Sequence, residues 1–285
     1  MLPPVIKASR EQGYRTGYVP FDVGPPPSVS RTMMHSRNAQ AVAVIAAAAG
    51  DRETAGAFAA RAVFYRLLYD PDVGALRGRD RAGRWRSPFP PTAEQPAGVK
   101  DYWDGRWAES LWTAALFDID GLLELIGGQQ MLEERLDAGF AADAGFAGVN
   151  AGQTPLQHTP WLYGFTNHPE RIREQLELSG NLEGDPRASV AAWRLFRDLG
   201  LYPVLPADGE YMMAPPAVPE VQLEIEGRLL RLDSPGEASK TWRGRVRIDG
   251  QPQPGRLMSH QRLVRGGVVT YETGSDDRVG RSMKE

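Results

Sequence analysis

The stretch from Ser30 to Leu68 reads SRTMMHSRNAQAVAVIAAAAG and then DRETAGAFAARAVFYRLL. Its first part is rich in alanine and carries no glycine or proline before Gly50. It is expected to form one helix over 31–50, with Ser30 as N-cap. Pro25, Pro26 and Pro27 lie just upstream and forbid an earlier start. The second part places Phe58, Ala62, Tyr65 and Leu68 near helical spacing, which predicts a second helix over 51–68. Only Gly50-Asp51 joins the two, so they should pack antiparallel.

Outward from this hairpin, residues 69–101 form a long loop rich in proline and glycine. A loop of that length inside a compact domain tends to be functional. Further helices are expected over 106–126, 129–140, 155–166, 169–178 and 188–199, the last ending at Gly200. The character changes after Tyr202-Pro203. Val221, Leu223 and Ile225 alternate with polar residues, as do Val246 and Ile248, and Gly227, Gly250 and Gly266-Gly267 supply turns. This predicts several short antiparallel strands. The chain therefore reads as mainly α: about seven helices in antiparallel pairs over residues 1–205, then a small antiparallel β unit over 206–285. Helix pairs without a solenoid repeat are compatible with an α/α toroid or part of one.

Composition removes several function classes. The formal net charge of the 285 residues is -3 and there is no basic run, so nucleic acid is not an expected partner. The absence of cysteine rules out disulfides, thiol catalysis and Cys-ligated metals. The longest apolar run, Ala41 to Ala49, is too short to span a membrane. The first twenty residues lack the apolar segment of a signal peptide, so the chain as written reads as cytoplasmic.

A set of short motifs in a fixed order carries a resemblance. It begins with Gly17-Tyr18-Val19-Pro20 and Ser30-Arg31-Thr32. Next come Arg61-Ala62, Tyr65-Arg66, Asp70-Pro71, Gly74 and Arg77-Gly78-Arg79, followed by Trp85 and Ser87-Pro88-Phe89. Gly121 to Gly128 follows, then Trp161-Leu162-Tyr163, Ala192-Trp193 and Leu199 to Val204. Ser259-His260 and Gly266-Gly267 close the series. In this order and spacing the chain resembles glycoside hydrolase family 92, the calcium-dependent exo-α-mannosidases. The resemblance implies part of an (α/α)6 toroid followed by a C-terminal β segment. It also implies that an N-terminal β-sandwich and the first toroid helices lie outside this sequence, so a separately encoded N-terminal half is an expected partner. Half a toroid would expose an apolar edge, which predicts self-association. Family members are usually secreted or periplasmic.

Inverting glycosidases need one carboxyl group to protonate the leaving oxygen and a second to activate water. The resemblance puts the acid at Asp104, within Tyr102-Trp103-Asp104-Gly105-Arg106, where the family has Glu. It puts the base near Asp185, although Gly184 and Pro186 stand where the family's acids belong. Helix capping is the competing role for both residues. The family's sugar and calcium segment corresponds to Gly152 to His158. There Gln153 and Thr154 are the metal candidates and offer neutral oxygens only, so calcium is doubtful. Gln153 and His158 are candidate sugar contacts, although a single His is more often structural. On the 31–40 helix, Met34, Asn38 and Ala39 replace acids of the family, and Pro90 replaces another. Arg77, Arg79, Trp85 and Trp103 are residue types that bind hydroxyls or stack on sugar faces, with core packing the alternative for the tryptophans. Two readings follow: a weakened exo-α-mannosidase acting on mannose-containing glycans, or a non-catalytic, degenerate relative that binds sugars or keeps only the scaffold.

Overall fold

The computed structural model describes residues 15–24, 26–89, 99–102, 114–141, 157–178, 188–234 and 241–273. They fall into two compact units, one of residues 1–147 with 205–208 and one of 148–204 with 209–285.

In the first unit, α1 spans Ser28–Ala48 and α2 spans Arg52–Ala62. They pack against each other as the short Gly50-Asp51 connection requires. The first helix starts two residues before the expected Ser30, and no side chain caps it. The backbone carbonyl of Asp101 does that work, accepting from Val29 N at 3.0 Å and Ser30 N at 3.1 Å. A cap so distant along the chain leaves no local trace in the sequence. Asp51 caps α2 through Thr54 N at 3.0 Å. The second helix does not run to Leu68 as one α-helix: it tightens into a 3-10 helix over Val63–Leu68.

The expected loop after it holds a small hairpin, β1 (Tyr69–Asp70) against β2 (Ala75–Leu76). The predicted 106–126 helix is not continuous. A 3-10 turn at Ala114–Leu116 precedes α3 at Ile119–Ile126, and α4 follows at Gln129–Phe140 as expected. The break lies at Asp118. Its carboxylate accepts Gly121 N at 3.1 Å, the Tyr65 hydroxyl at 2.8 Å, and Arg66 through Nε at 3.1 Å and Nη2 at 2.9 Å. A Cβ on Gly121 would stand 1.9 Å from Arg66 Nη2, so glycine is required for the guanidinium to reach Asp118. This explains two of the shared motifs, Tyr65-Arg66 and the one opening at Gly121. The core around the network includes Met33, Tyr65, Leu68, Phe117, Leu122, Leu132 and Leu136, all buried. Each fully buried leucine contributes roughly 1.5–3 kcal/mol.

In the second unit, a 3-10 helix at Thr159–Phe165 stands where a longer helix was expected. It leads to α5 (Arg171–Leu178), and α6 spans Ala188–Leu199. Trp161 stacks on Tyr202 with centroids 5.2 Å apart, and Trp193 Nε1 donates to the Gln157 carbonyl at 2.9 Å. Gly200, at φ 68°, ends α6 and lets its own backbone meet that of Ala214.

Strands begin at Leu201, a few residues before the expected 206. β3 (Leu201–Leu205), β4 (Glu210–Met213) and β9 (Leu257–Ser259) form one sheet in that order. The other contains β5 (Glu220–Ile225), β6 (Arg228–Asp233), β10 (Gly267–Thr273), β7 (Trp242–Ile248) and β8 (Gln251–Pro252). A short helix α7, His260–Val264, links β9 to β10. The β5–β6, β7–β8 and β7–β10 pairs are antiparallel as expected, whereas β10 lies parallel to β6. Alternation of side chains is the same in either case, so the direction of this pair was not legible in the sequence. Among the described residues no helix is long and apolar enough to cross a membrane.

Candidate functional site

The segment after β2 carries arginine at 77, 79, 81, 84 and 86. Five like charges so close together in one loop call for compensation. Four of the five have carboxylate partners. Arg77 Nη1 meets Asp70 Oδ2 at 2.8 Å, Arg81 Nε meets Asp22 Oδ2 at 2.9 Å, and Arg84 Nε meets Asp80 Oδ2 at 2.7 Å. Arg86 grips Asp101 through both Nε and Nη2, the latter at 2.8 Å.

Asp101 is fully buried and anchors the site. Beyond the Arg86 pair, its Oδ1 accepts from Ser28 Oγ at 2.7 Å, while its carbonyl caps α1. Gly78 has no side chain because a Cβ there would lie 2.7 Å from Asp101 Oδ2. The Arg86 guanidinium also lies 3.8 Å from the Phe21 ring centroid. The next residue, Tyr102, donates its hydroxyl to the Leu76 carbonyl, and burial pushes its pKa up.

Asp80 organises the tip. Its Oδ1 accepts Arg84 N and Ala82 N, each at 2.9 Å, and these bonds hold its carboxyl below the usual range. Tyr18 donates its hydroxyl to the Asp80 carbonyl at 2.8 Å, and Phe21 N donates to the Arg79 carbonyl at 3.0 Å. The tip is thus tied to the Gly17-Tyr18-Val19-Pro20 segment, which accounts for the pairing of those two motifs.

Arg79 differs from the other four. Among the described residues it has no carboxylate partner, and its Nε is buried without a hydrogen-bond acceptor. Its guanidinium instead lies 3.6 Å from the Trp85 ring centroid, and the two backbones form an isolated antiparallel bridge. A half-buried guanidinium stacked on an indole sets directional N–H donors beside an aromatic ring.

Of the sequence-predicted contacts, Arg77, Arg79 and Trp85 come together on this loop. Arg77 is committed to Asp70, to the Arg86 carbonyl at 2.8 Å and to the Phe89 ring, so it acts as a strut. His158 is buried in the second unit, at the turn before the 3-10 helix, where its carbonyl accepts Trp161 N at 3.0 Å. Asp104, Trp103, Gln153, Thr154 and Asp185 lie outside the described residues. Asp101, Arg86 and Asp80 were not singled out from the sequence. Asp101 stands three residues before Asp104, and its adjacency to that motif was the available signal. Among the described residues, no three carboxylate or imidazole groups cluster so as to hold a metal ion.

Residues 6–275 match the family model for the glycosyl hydrolase family 92 catalytic domain. The fold is similar to that of a family GH92 inverting mannosidase from Bacteroides thetaiotaomicron VPI-5482, with a TM-score of 0.79 and 24% identity over 94% of this chain and 40% of that one. It is also similar to a family GH92 alpha-mannosidase from Bacteroides thetaiotaomicron, solved in complex with mannoimidazole, with a TM-score of 0.77 and 23% identity over 91% of this chain and 37% of that one. A third similar structure, a glycosyl hydrolase of the same family, gives a TM-score of 0.73 at 18% identity over 92% of this chain and 40% of the other. The chain thus spans about two fifths of the length of these proteins. No curated protein matches it.

Proposed function

The chain belongs to glycosyl hydrolase family 92, and from that premise we propose that it is a mannosidase-type glycoside hydrolase with weakened turnover on terminal α-mannosides. The extent of the family match carries the reading: residues 6–275 include both candidate carboxyl groups, Asp104 and Asp185. In this reading the helices are part of an (α/α)6 toroid over residues 1–205, and residues 206–285 are its C-terminal β segment. Arg79 and Trp85 contribute to a sugar-binding surface, and a mannose-containing glycan is the ligand.

The chemistry assigned to the residues is an inverting displacement. Asp104 donates its proton to the glycosidic oxygen as the bond from that oxygen to the anomeric carbon breaks. Asp185 takes a proton from a water that attacks the anomeric carbon from the opposite face. Asp104 is one methylene shorter than the family's Glu, and Asp185 sits between Gly184 and Pro186, where the family places acids. Both substitutions lengthen proton transfers that require hydrogen-bond reach, which is the reason for slow turnover.

Calcium fits this donor set poorly. A hard divalent cation takes six to eight oxygens and favours carboxylates. Gln153 and Thr154 offer neutral oxygens, and Arg66 and Arg86 already occupy the half-buried carboxylate of Asp118 and the buried one of Asp101. No step is assigned to the metal.

The test is release of the aryl alcohol from an aryl α-mannoside by the purified chain and by Asp104→Asn. A slow rate lost in the variant supports the reading. A rate equal in both overturns the assignment of the acid. A second reading, a non-catalytic sugar-binding relative, draws on the replaced acids at Thr154, Gly184 and Pro186. It expects mannoside binding without hydrolysis.

A further inference from the structure

The five-stranded sheet ends in β5 on one side and β8 on the other. Open edges invite further strands, and proteins usually blunt them with short strands, proline or bulges. β8 is blunted: it has two residues, one of them Pro252. β5 is not. Its six residues, Glu220 to Ile225, pair with β6 in unbroken register and include no proline or glycine. Ile225 and Arg228 flank a tight turn of Glu226 and Gly227, both at positive φ, so they form a hydrogen-bonded pair and the ladder alternates from there. Ser234 N donates to the Pro219 carbonyl at 2.8 Å, which fits that phase. Val221, Leu223 and Ile225 therefore turn their backbone groups toward β6. Glu220, Gln222 and Glu224 turn theirs outward, and among the described residues no backbone group answers them.

The two faces of β5 differ. Val221 and Leu223 stand opposite the buried Leu232 and Leu230, yet they are themselves only half-buried, as is Ile225. The apolar layer of the sheet runs out at β5 with this row partly uncovered. On the other face Glu220, Gln222 and Glu224 are exposed. Glu220 stands opposite Asp233 and Glu224 opposite Leu229, so β6 sets no base across from either. Arg231, opposite Gln222, is paired with Asp233 at 2.8 Å. Glu220 accepts from the neutral Gln222 side chain at 2.6 Å, and among the described residues neither glutamate has an ion-pair partner.

We propose that β5 is a docking edge for an extended protein segment that alternates basic and apolar residues. The backbone of that segment continues the sheet through the outward amides of Glu220, Gln222 and Glu224. Its basic side chains face Glu220 and Glu224, and its apolar ones extend the row of Val221, Leu223 and Ile225. Main-chain bonds give such docking its affinity, and alternate side chains give it selectivity. A second copy of this chain fits poorly. Antiparallel two-fold pairing centred on Gln222 sets Glu220 against Glu224 of the other copy, and like charges directly opposite destabilise a strand pair. The proposal does not depend on hydrolysis or on the mannoside site.

Fluorescence anisotropy of a labelled, end-blocked Lys-Val-Thr-Val-Lys-Val peptide with the intact chain tests it, against the same peptide with glutamate for lysine. The expected result is saturable binding of the lysine peptide, with the glutamate peptide weaker by roughly tenfold because two cross-strand pairs change sign. Gln222→Pro removes an outward N–H and leaves the ladder to β6 whole, so the melt should hold while binding is lost. Glu220→Lys together with Glu224→Lys should reverse the preference between the two peptides, and this pair decides alone if Gln222→Pro lowers the melt. No saturable binding, equal affinity for the two peptides, or indifference to these variants would each overturn the proposal. A dimer in light scattering that Gln222→Pro dissolves would also overturn it, by making the occupant a second copy.

Discussion

The guanidinium of Arg79 lies 3.6 Å from the indole centroid of Trp85, and among its neighbours Arg77, Arg81, Arg84 and Arg86 it alone has no carboxylate partner among the described residues. Charge balance is met by its neighbours, which leaves Arg79 available for a ligand. Replacing it with methionine should therefore cost modest stability, on the order of the 0.5–2 kcal/mol of a half-buried cation–π contact. Mannoside affinity should fall at least tenfold. Thermal melts and calorimetric titration of the variant, run in parallel, separate the two effects.

Arg86 should behave in the opposite way. Its removal takes the two-pronged ion pair from the fully buried Asp101 carboxylate. Breaking one side of a buried pair costs about 3–5 kcal/mol. Arg86→Met is expected to lower the denaturant midpoint strongly. The double change with Asp101→Asn should recover part of the loss, because it removes the uncompensated charge. An additive double variant would contradict the pairing.

Two glycines at positive φ make a matched comparison. Gly50, at φ 81°, has nothing within 4 Å of an added Cβ, whereas at Gly200, at φ 68°, the Cβ would stand 2.1 Å from the Ala214 carbonyl oxygen. Gly50→Ala should cost only the left-handed strain of about 1–2 kcal/mol. Gly200→Ala should cost more, since the α6 end and the Ala214 backbone must part. Urea midpoints of the two variants decide it.

The loop tip should respond to acid. Hydrogen bonds from Arg84 N and Ala82 N and the Arg84 guanidinium hold Asp80 below its ordinary value. A carboxyl depressed in the folded state stabilises above its unfolded pKa of about 3.9, and that contribution disappears as pH falls through the lower folded value. The tip should stay intact at pH 5 and loosen below about pH 4. Amide shifts of Ala82 and Arg84 should titrate in that range, and Asp80→Asn should abolish the titration.

Local pattern carried much of the architecture. The helical pair on either side of Gly50-Asp51, the 129–140 helix and the alternating strands at 220–225 and 242–248 all follow from periodicity and turn residues. What escaped was set by distant partners. The start of α1 depends on the Asp101 carbonyl. The break before α3 depends on Arg66 and Tyr65 drawing in Asp118, although an Asp ahead of Ile119-Asp120-Gly121-Leu122 was a readable capping signal. At the site, Arg77, Arg79 and Trp85 were legible as residue types. Their division into a strut and a stacked, unpaired guanidinium was not, because it turns on which aspartates fold back onto the loop.

Survival of a mannoside site in this chain can be read from a thermal melt of the purified protein with and without mannose. A ligand that binds only the folded state raises the melting temperature. With the site intact, a cooperative melt moves upward with mannose and loses that shift in the Arg79→Met variant. A cooperative melt that mannose leaves unmoved would contradict survival of the site.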